Sequence, residues 1–212
     1  MLRPKALQGL ARNAGVLSYT VTQASAITDV PAKAINTYLD RELQFLATIG
    51  AGFRAVCKDG LLAVRLNFEC IDSLLLDARL QVIQQAMTGT RNKYVTVSGQ
   101  QVIVRVDLAR SVVQAGLSRF RAAQANITTS EDVLSGEPCI KGTRLSAYLI
   151  RDLYEECGRD EVLETYPGLS DVQIDAARMY ALAFPRRGRP RSVESRLTKA
   201  EPTRSRVVRV KP

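Results

Sequence analysis

Ser135-Gly136-Glu137-Pro138-Cys139-Ile140-Lys141-Gly142-Thr143-Arg144-Leu145-Ser146 places two turn signals around a β-prone pair, Cys139-Ile140, just ahead of an apolar stripe. Glycine and proline at those offsets predict a small hairpin that ends where a helix begins. Ser146 is placed to cap that helix, with Leu149, Ile150, Leu153 and Tyr154 on its inner face. A second helix follows from about Arg159 to Tyr166 with Val162 and Leu163 inward, and Tyr166-Pro167-Gly168-Leu169 breaks it. Ser170 caps a third helix, with Asp171 in its first turn and Val172, Ile174, Ala177, Met179, Ala181 and Leu182 as apolar surface. Helix, short glycine-bearing turn, helix is a helix-turn-helix candidate.

Val133 to Leu145, followed about twenty residues later by Val162-Leu163-Glu164-Thr165-Tyr166-Pro167-Gly168-Leu169-Ser170, resembles the "domain of unknown function" family numbered 433. The resemblance implies a small three-helix, DNA-binding-like unit, and many members of that family act as antitoxins of VapB type. It covers about a quarter of the chain and rests on a glycine, a proline and a basic glycine-threonine-arginine run falling in order.

Downstream, the charge changes abruptly. Residues 185–212 carry ten basic side chains against two acidic ones, a net +8, which leaves +1 for the other 184 residues of a chain whose total is +9. A nearly neutral body with a basic tail points to an anionic partner. Arg186, Arg187, Arg189 and Arg191 open the tail, and Arg204, Arg206 and Arg209 alternate with β-branched residues near its end. Such a segment is too charged to fold alone and is expected to order on a partner; extended, its 28 residues reach about 90 Å. The family resemblance implies a PIN-domain ribonuclease toxin whose carboxylates gather around magnesium. Those seven arginines are then the candidate toxin contacts, since a guanidinium pairs bidentately with a carboxylate. DNA backbone or a narrow minor groove is the competing partner, and a solvated tail without specific contacts is the third reading.

Upstream, Tyr19 to Leu39 reads as two more short helices. Thr22 is placed to cap the first, with Ala24 and Ile27 inward; Asp29 tolerates the left-handed turn; Pro31 starts the second, with Ile35, Tyr38 and Leu39 inward. This stretch resembles the helix-turn-helix of MerR-like regulators, with Asp29 where glycine is usual. If the pair binds DNA, its second helix enters the major groove and presents Ala32, Lys33, Asn36 and Thr37. Lysine addresses guanine, asparagine bonds adenine at two points and threonine meets a thymine methyl. Arg41 at the end of that helix, with Lys141 and Arg144 in the turn ahead of the C-terminal helices, completes the candidate DNA contacts. A plain helical hairpin with a solvated face is the alternative.

Between these units, Phe53 to Cys57 and Leu61 to Asn67 flank Lys58-Asp59-Gly60, and Tyr94 to Val97 and Val102 to Val106 flank Ser98-Gly99-Gln100. Each pair reads as a hairpin, followed by helices of about Ile71 to Met87 and Leu108 to Ala123. The block reads as scaffold, a wing or a dimer surface.

The remaining signals are largely exclusions. There is no histidine, no glycine-rich phosphate loop and no pair of carboxylates at catalytic spacing, so neither an enzyme nor a metal or cofactor site is expected. Cys57, Cys70, Cys139 and Cys157 lack metal-ligand spacing and are expected to be reduced and mostly buried. No run approaches a membrane span and no signal peptide opens the chain, which predicts a cytoplasmic protein with no membrane partner.

The sequence therefore predicts an α+β chain with two helix-turn-helix-like helical units flanking hairpin-plus-helix segments, and an extended basic C-terminal tail. Its divisions are 1–50, 51–126, 127–184 and 185–212. The function expected is an antitoxin that neutralises a PIN-domain ribonuclease through its tail and represses its own promoter DNA as a homodimer, in a larger complex with the toxin. The alternative is a stand-alone transcription regulator whose tail contacts DNA; an unrecognised enzyme is a third class.

Overall fold

The computed structural model describes residues 18–50, 53–89, 94–96 and 103–186. The order is β1 (Ser18–Thr20), α1 (Val21–Thr28), α2 (Ala32–Arg41), a 3-10 turn (Gln44–Leu46), β2 (Ala47–Gly50), β3 (Phe53–Cys57), α3 (Lys58–Cys70), α4 (Leu76–Thr88), β4 (Tyr94–Thr96), β5 (Ile103–Arg105), α5 (Val106–Asn126), β6 (Ile127–Thr128), a 3-10 turn (Leu134–Gly136), β7 (Cys139–Ile140), α6 (Ala147–Thr165) and α7 (Asp171–Ala183). The chain is α+β, as expected.

The strands form small antiparallel sheets. β3 is central, with β1 on one side (Tyr19 opposite Val56) and β2 on the other (Ile49 opposite Arg54). β4 pairs with β5, as the sequence predicts, and β6 pairs with β7. The three-stranded sheet crosses the division expected at residue 50, since β3 joins strands that precede it.

The hairpin expected around Lys58-Asp59-Gly60 does not form. Both edges of β3 are already taken by β1 and β2, so Leu61 to Asn67 has no strand to pair with, and the segment is helical instead. Gly60, Leu61, Ala63, Val64, Leu66, Asn67 and Cys70 are buried at helical spacing, and Asp59 lies in the favoured first turn. A Cβ on Gly60 would come within 2.8 Å of Val56 Cγ1, so the glycine lets α3 start flush against the strand it leaves. The helix expected to start near Ile71 starts at Leu76, after a turn that buries Leu74.

One apolar core runs from Tyr19 through Ala123 and takes in Ala176, Met179 and Ala183 of α7. A second gathers Ile127, Ile140, Ala147, Ile150, Val162, Leu169, Ile174 and Ala177. α7 packs on α5, α6 and α1, and so ties the two cores together. An aromatic chain closes the seam: Tyr19 meets Phe120 edge-on at 5.8 Å, Phe120 stacks on Phe184 at 5.9 Å, and Phe184 stacks on Tyr180 at 4.6 Å.

In the C-terminal unit Ser146 and Ser170 cap α6 and α7, as their positions predict, each through its side-chain oxygen; at about 1 kcal/mol apiece the caps fix where the helices start. α6 breaks at Gly158 (φ 88°, ψ −178°), a backbone shape closed to other residues, which separates its two expected helical halves. Cys57, Cys70 and Cys139 are buried thiols, and Cys157 beside the break is exposed. Among the described residues no helix is long and apolar enough to cross a membrane.

Candidate nucleic-acid interface

The α1–α2 pair starts from a capping box. Thr20 Oγ1 accepts the Gln23 N–H at 3.3 Å and Gln23 Oε1 accepts the Thr20 N–H at 3.0 Å. Thr20, rather than the expected Thr22, is therefore the cap; it is extended at the end of β1, while Thr22 lies inside the helix and donates its hydroxyl to the Ala183 carbonyl at 3.1 Å. Asp29 takes the left-handed conformation (φ 56°, ψ 37°) and its N–H returns to the Ser25 carbonyl at 2.9 Å. That turns the chain within three residues, with Val30 buried and Pro31 preceding α2.

α2 has two faces. Ile35, Tyr38 and Leu39 are buried against α1 and α3, each contributing about 1.5–3 kcal/mol of apolar burial. Lys33, Asn36, Thr37 and Asp40 are exposed at the i, i+3, i+4, i+7 spacing of a single stripe, with Arg41 exposed beside it. The side chains of Lys33, Asn36 and Arg41 hold no hydrogen bond or ion pair among the described residues. Thr37 donates its hydroxyl to the Lys33 carbonyl at 3.1 Å, which leaves its methyl as the outward group.

The next strands come up against this stripe. Arg54 of β3 pairs with Asp40 at 2.7 Å, both groups exposed. An exposed pair of this kind is worth under about 1 kcal/mol, so its effect is to hold a guanidinium beside the stripe. Arg54 is a candidate contact that the sequence reading missed. Nothing local in Phe53–Cys57 indicates that β3 lies next to α2.

A buried polar cluster fixes the far end of α2. Glu42 accepts from Asn67 Nδ2 at 2.8 Å and from both terminal nitrogens of Arg79 at 3.2 and 3.3 Å, and Arg79 also reaches Asn67 Oδ1 at 3.3 Å. Asn67 and Arg79 are buried, so the cluster welds α2 to α3 and α4. Burial raises the Tyr38 phenol above its ordinary value, and Glu42 adds to the shift. Arg65 Nη1 donates to the Thr28 carbonyl at 3.1 Å, satisfying the end of α1 from α3.

The other expected contacts do not join this stripe. Lys141 and Arg144 are exposed on the turn after β7, where the Lys141 N–H is held by the Asn126 carbonyl at 2.8 Å. That turn belongs to the second core, built on β6 and α7, whereas α2 packs on α1 and α3. Arg186 is held on the body: its guanidinium lies 4.6 Å from the Tyr148 ring centroid and pairs with Glu137. The Tyr148 hydroxyl donates to the Phe184 carbonyl at 2.7 Å, anchoring the same turn. Arg187, Arg189, Arg191, Arg204, Arg206 and Arg209 lie outside the described residues.

α7, the last helix of the C-terminal unit, is enclosed. Its Ile174, Ala176, Ala177, Met179, Ala181 and Ala183 are buried, and among its exposed residues Asp171 and Asp175 are paired with Arg159 at 2.9 and 3.1 Å. The helix's one cation, Arg178, lies over the Tyr154 ring.

Residues 127–181 match the family described as "Protein of unknown function (DUF433)", in agreement with the resemblance expected of this unit. The chain is 36% identical over 76 residues to the "Uncharacterized protein y4eO" of Sinorhizobium fredii (strain NBRC 101917 / NGR234). That match covers 35% of this chain and 34% of the relative, so it spans about a third of the relative's length. No solved structure matches the chain.

Proposed function

We propose that the chain is a sequence-specific DNA-binding protein in which α1, the Asp29–Pro31 turn and α2 act as a helix-turn-helix with the β2–β3 hairpin as its wing. The observation that carries this reading is the α2 stripe: Lys33 and Asn36 are exposed and uncommitted near the helix N-terminus, and Arg54 flanks them from β3. A helix entering the major groove reads bases with its N-terminal residues. Lys33 then addresses guanine, Asn36 adenine, and Thr37 a thymine methyl, while Arg41 and Arg54 meet phosphates.

Only one of the two helical units serves as reader in this proposal. α7 is enclosed on three sides, and its exposed carboxylates repel a phosphate backbone, so the C-terminal unit buttresses α1 instead. Lys141 and Arg144 accordingly drop to peripheral roles. The N-terminal unit binds promoter DNA as a homodimer on a two-fold operator.

Neutralisation of a PIN-domain ribonuclease by the tail completes the proposal. It rests on the basic composition of residues 187–212 and on the family resemblance of the C-terminal unit. Arg186, already paired, is assigned to anchoring the start of the tail, and the arginines beyond it to the toxin. The competing reading, a stand-alone regulator, gives those arginines to DNA.

Mobility-shift titration of the full chain against the DNA upstream of its own reading frame tests the first claim. The expected result is a discrete complex that Lys33→Ala with Asn36→Ala removes at unchanged circular dichroism; an unaffected shift defeats the assignment. Co-purification with the product of the adjacent gene, with and without residues 187–212, tests the second. Capture that survives the deletion removes the tail from the mechanism.

A further inference from the structure

A cleft of about 490 Å³ opens where the α1–α2 turn faces α5 and α7. Its volume falls in the range of small-molecule sites. Val30 of the turn with Met179 and Leu182 of α7 supplies apolar wall, and Arg119 of α5 and Arg178 of α7 supply two guanidinium groups. Arg119 is exposed and holds no partner among the described residues. Arg178 is two-thirds withdrawn from solvent, its side chain 34% exposed, and its plane lies 3.6 Å from the Tyr154 ring centroid. Its Nε is buried without an acceptor, and its nearest carboxylate oxygen, Asp175 Oδ1, stands 3.7 Å from Nη1, beyond hydrogen-bonding distance. That oxygen is bonded instead to Arg159 at 3.1 Å. One nitrogen of this guanidinium, Nε, is thus removed from water without an acceptor while the rest of the group stays partly exposed beside Asp175, and an anion entering the cleft can add the bonded acceptor the group lacks.

The rim adds to this polarity. Pro31, the residue ahead of α2, lines the edge of the cleft, and no side chain caps that helix, so its positive N-terminal end lies close by. Asp29 and Asp175 also line the cleft. They disfavour a multiply charged phosphate chain and suit an anion of low charge whose body is apolar.

We propose that this cleft binds a small organic carboxylate, held by Arg119 and Arg178 with its apolar part against Val30, Met179 and Leu182. Because the ligand touches both the turn ahead of α2 and α7, it clamps the reading helix onto the C-terminal unit. The binding claim stands by itself; the effect on DNA rests on the function proposed above.

Calorimetric titration of the full chain with benzoate, 2-oxoglutarate, citrate and inorganic phosphate tests the site. Benzoate is expected to bind with unit stoichiometry and more tightly than citrate, and Arg119→Gln and Arg178→Gln are each expected to weaken it about tenfold or more. Arg119→Gln removes an exposed, unpartnered group and so keeps the test valid if Arg178→Gln fails to fold. Four results overturn the proposal: no carboxylate binding at about 10 mM, about 2.7 kcal/mol; phosphate binding as tightly as any carboxylate; binding indifferent to both arginines; or both variants weakening ligand-free DNA binding with a shallower salt dependence, which would make the cleft a backbone contact. Carboxylate binding by a chain that shifts no DNA would leave the site standing and sink the DNA reading.

Discussion

Replacing Gly116 with alanine should destabilise the protein, although the same change in an open helix stabilises by up to about 1 kcal/mol. α5 crosses α1 at Gly116 so closely that a Cβ there would lie 1.9 Å from the Ile27 carbonyl oxygen and 2.8 Å from its carbon. The obstacle is backbone, so it cannot rotate aside. Restoring an ordinary contact of about 3.4 Å requires the two helices to part by roughly 1.5 Å. Ile27, Leu117 and Phe120 are buried in the core around that crossing. If each loses a quarter to a half of about 2 kcal/mol of packing, the loss is about 1.5–3 kcal/mol, to which residual strain adds and from which the helix-propensity gain subtracts. A net loss near 2 kcal/mol corresponds to a fall in Tm of about 4–8 °C for a chain of this length. Denaturant and thermal unfolding of Gly116→Ala measure it, with Gly168→Ala as control, since nothing lies within 4 Å of a Cβ there. A Gly116→Ala protein as stable as the parent would refute the crossing, and with it the placement of α1 against α5.

Removing Arg79 from the Glu42–Asn67 cluster leaves a largely buried carboxylate with half its partners. Arg79→Met should cost about 2–4 kcal/mol by chemical denaturation, and Glu42→Met added to it should recover part of that loss. Thr20→Ala should cost about 1 kcal/mol, with Thr22→Ala smaller, because the capping box is built on Thr20. Burial raises the phenols of Tyr38, Tyr148 and Tyr180 and the thiols of Cys70 and Cys139. The folded chain therefore holds these protons more tightly than the unfolded one. These groups should leave stability unchanged around neutral pH and lower it as pH rises through 9 to 11, read from unfolding midpoints across that range. Cys157 should react with a thiol reagent in the native state while Cys139 waits for unfolding.

What the sequence disclosed follows the range of each interaction. Ser146 and Ser170 as caps, the break between the halves of α6, the left-handed Asp29 and the inward set Ile35, Tyr38 and Leu39 are all fixed by neighbours within a turn or two of chain. Periodicity and cap chemistry report such features directly. Lys58-Asp59-Gly60 has the composition of a hairpin turn, and only the long-range pairing of β3 with β1 and β2 decides that it opens a helix. Thr22 reads as the cap from its neighbours alone, and β1, which carries the chain extended as far as Thr20, moves the cap two residues upstream.

The candidate interface divides in the same way. The exposure of Lys33, Asn36 and Thr37 follows from the α2 period and was legible, whereas Ala32, read with them, is half-buried. Arg54 reaches the stripe through sheet register, and the Glu42–Asn67–Arg79 cluster joins residues up to 37 positions apart. Neither leaves a local trace. Arg186 was read as one of a run of tail arginines because its composition matches theirs. Its distinction comes from Tyr148 and Glu137, the latter 49 residues away.

Selection from a random duplex library by the full chain, with Asn36→Ala run in parallel, tests the central claim most directly. The account predicts enrichment of one two-fold symmetric motif, and loss of preference at an adenine within each half-site when Asn36 is replaced. Recovery of no motif, or of the same motif with unchanged preferences from both proteins, would contradict it.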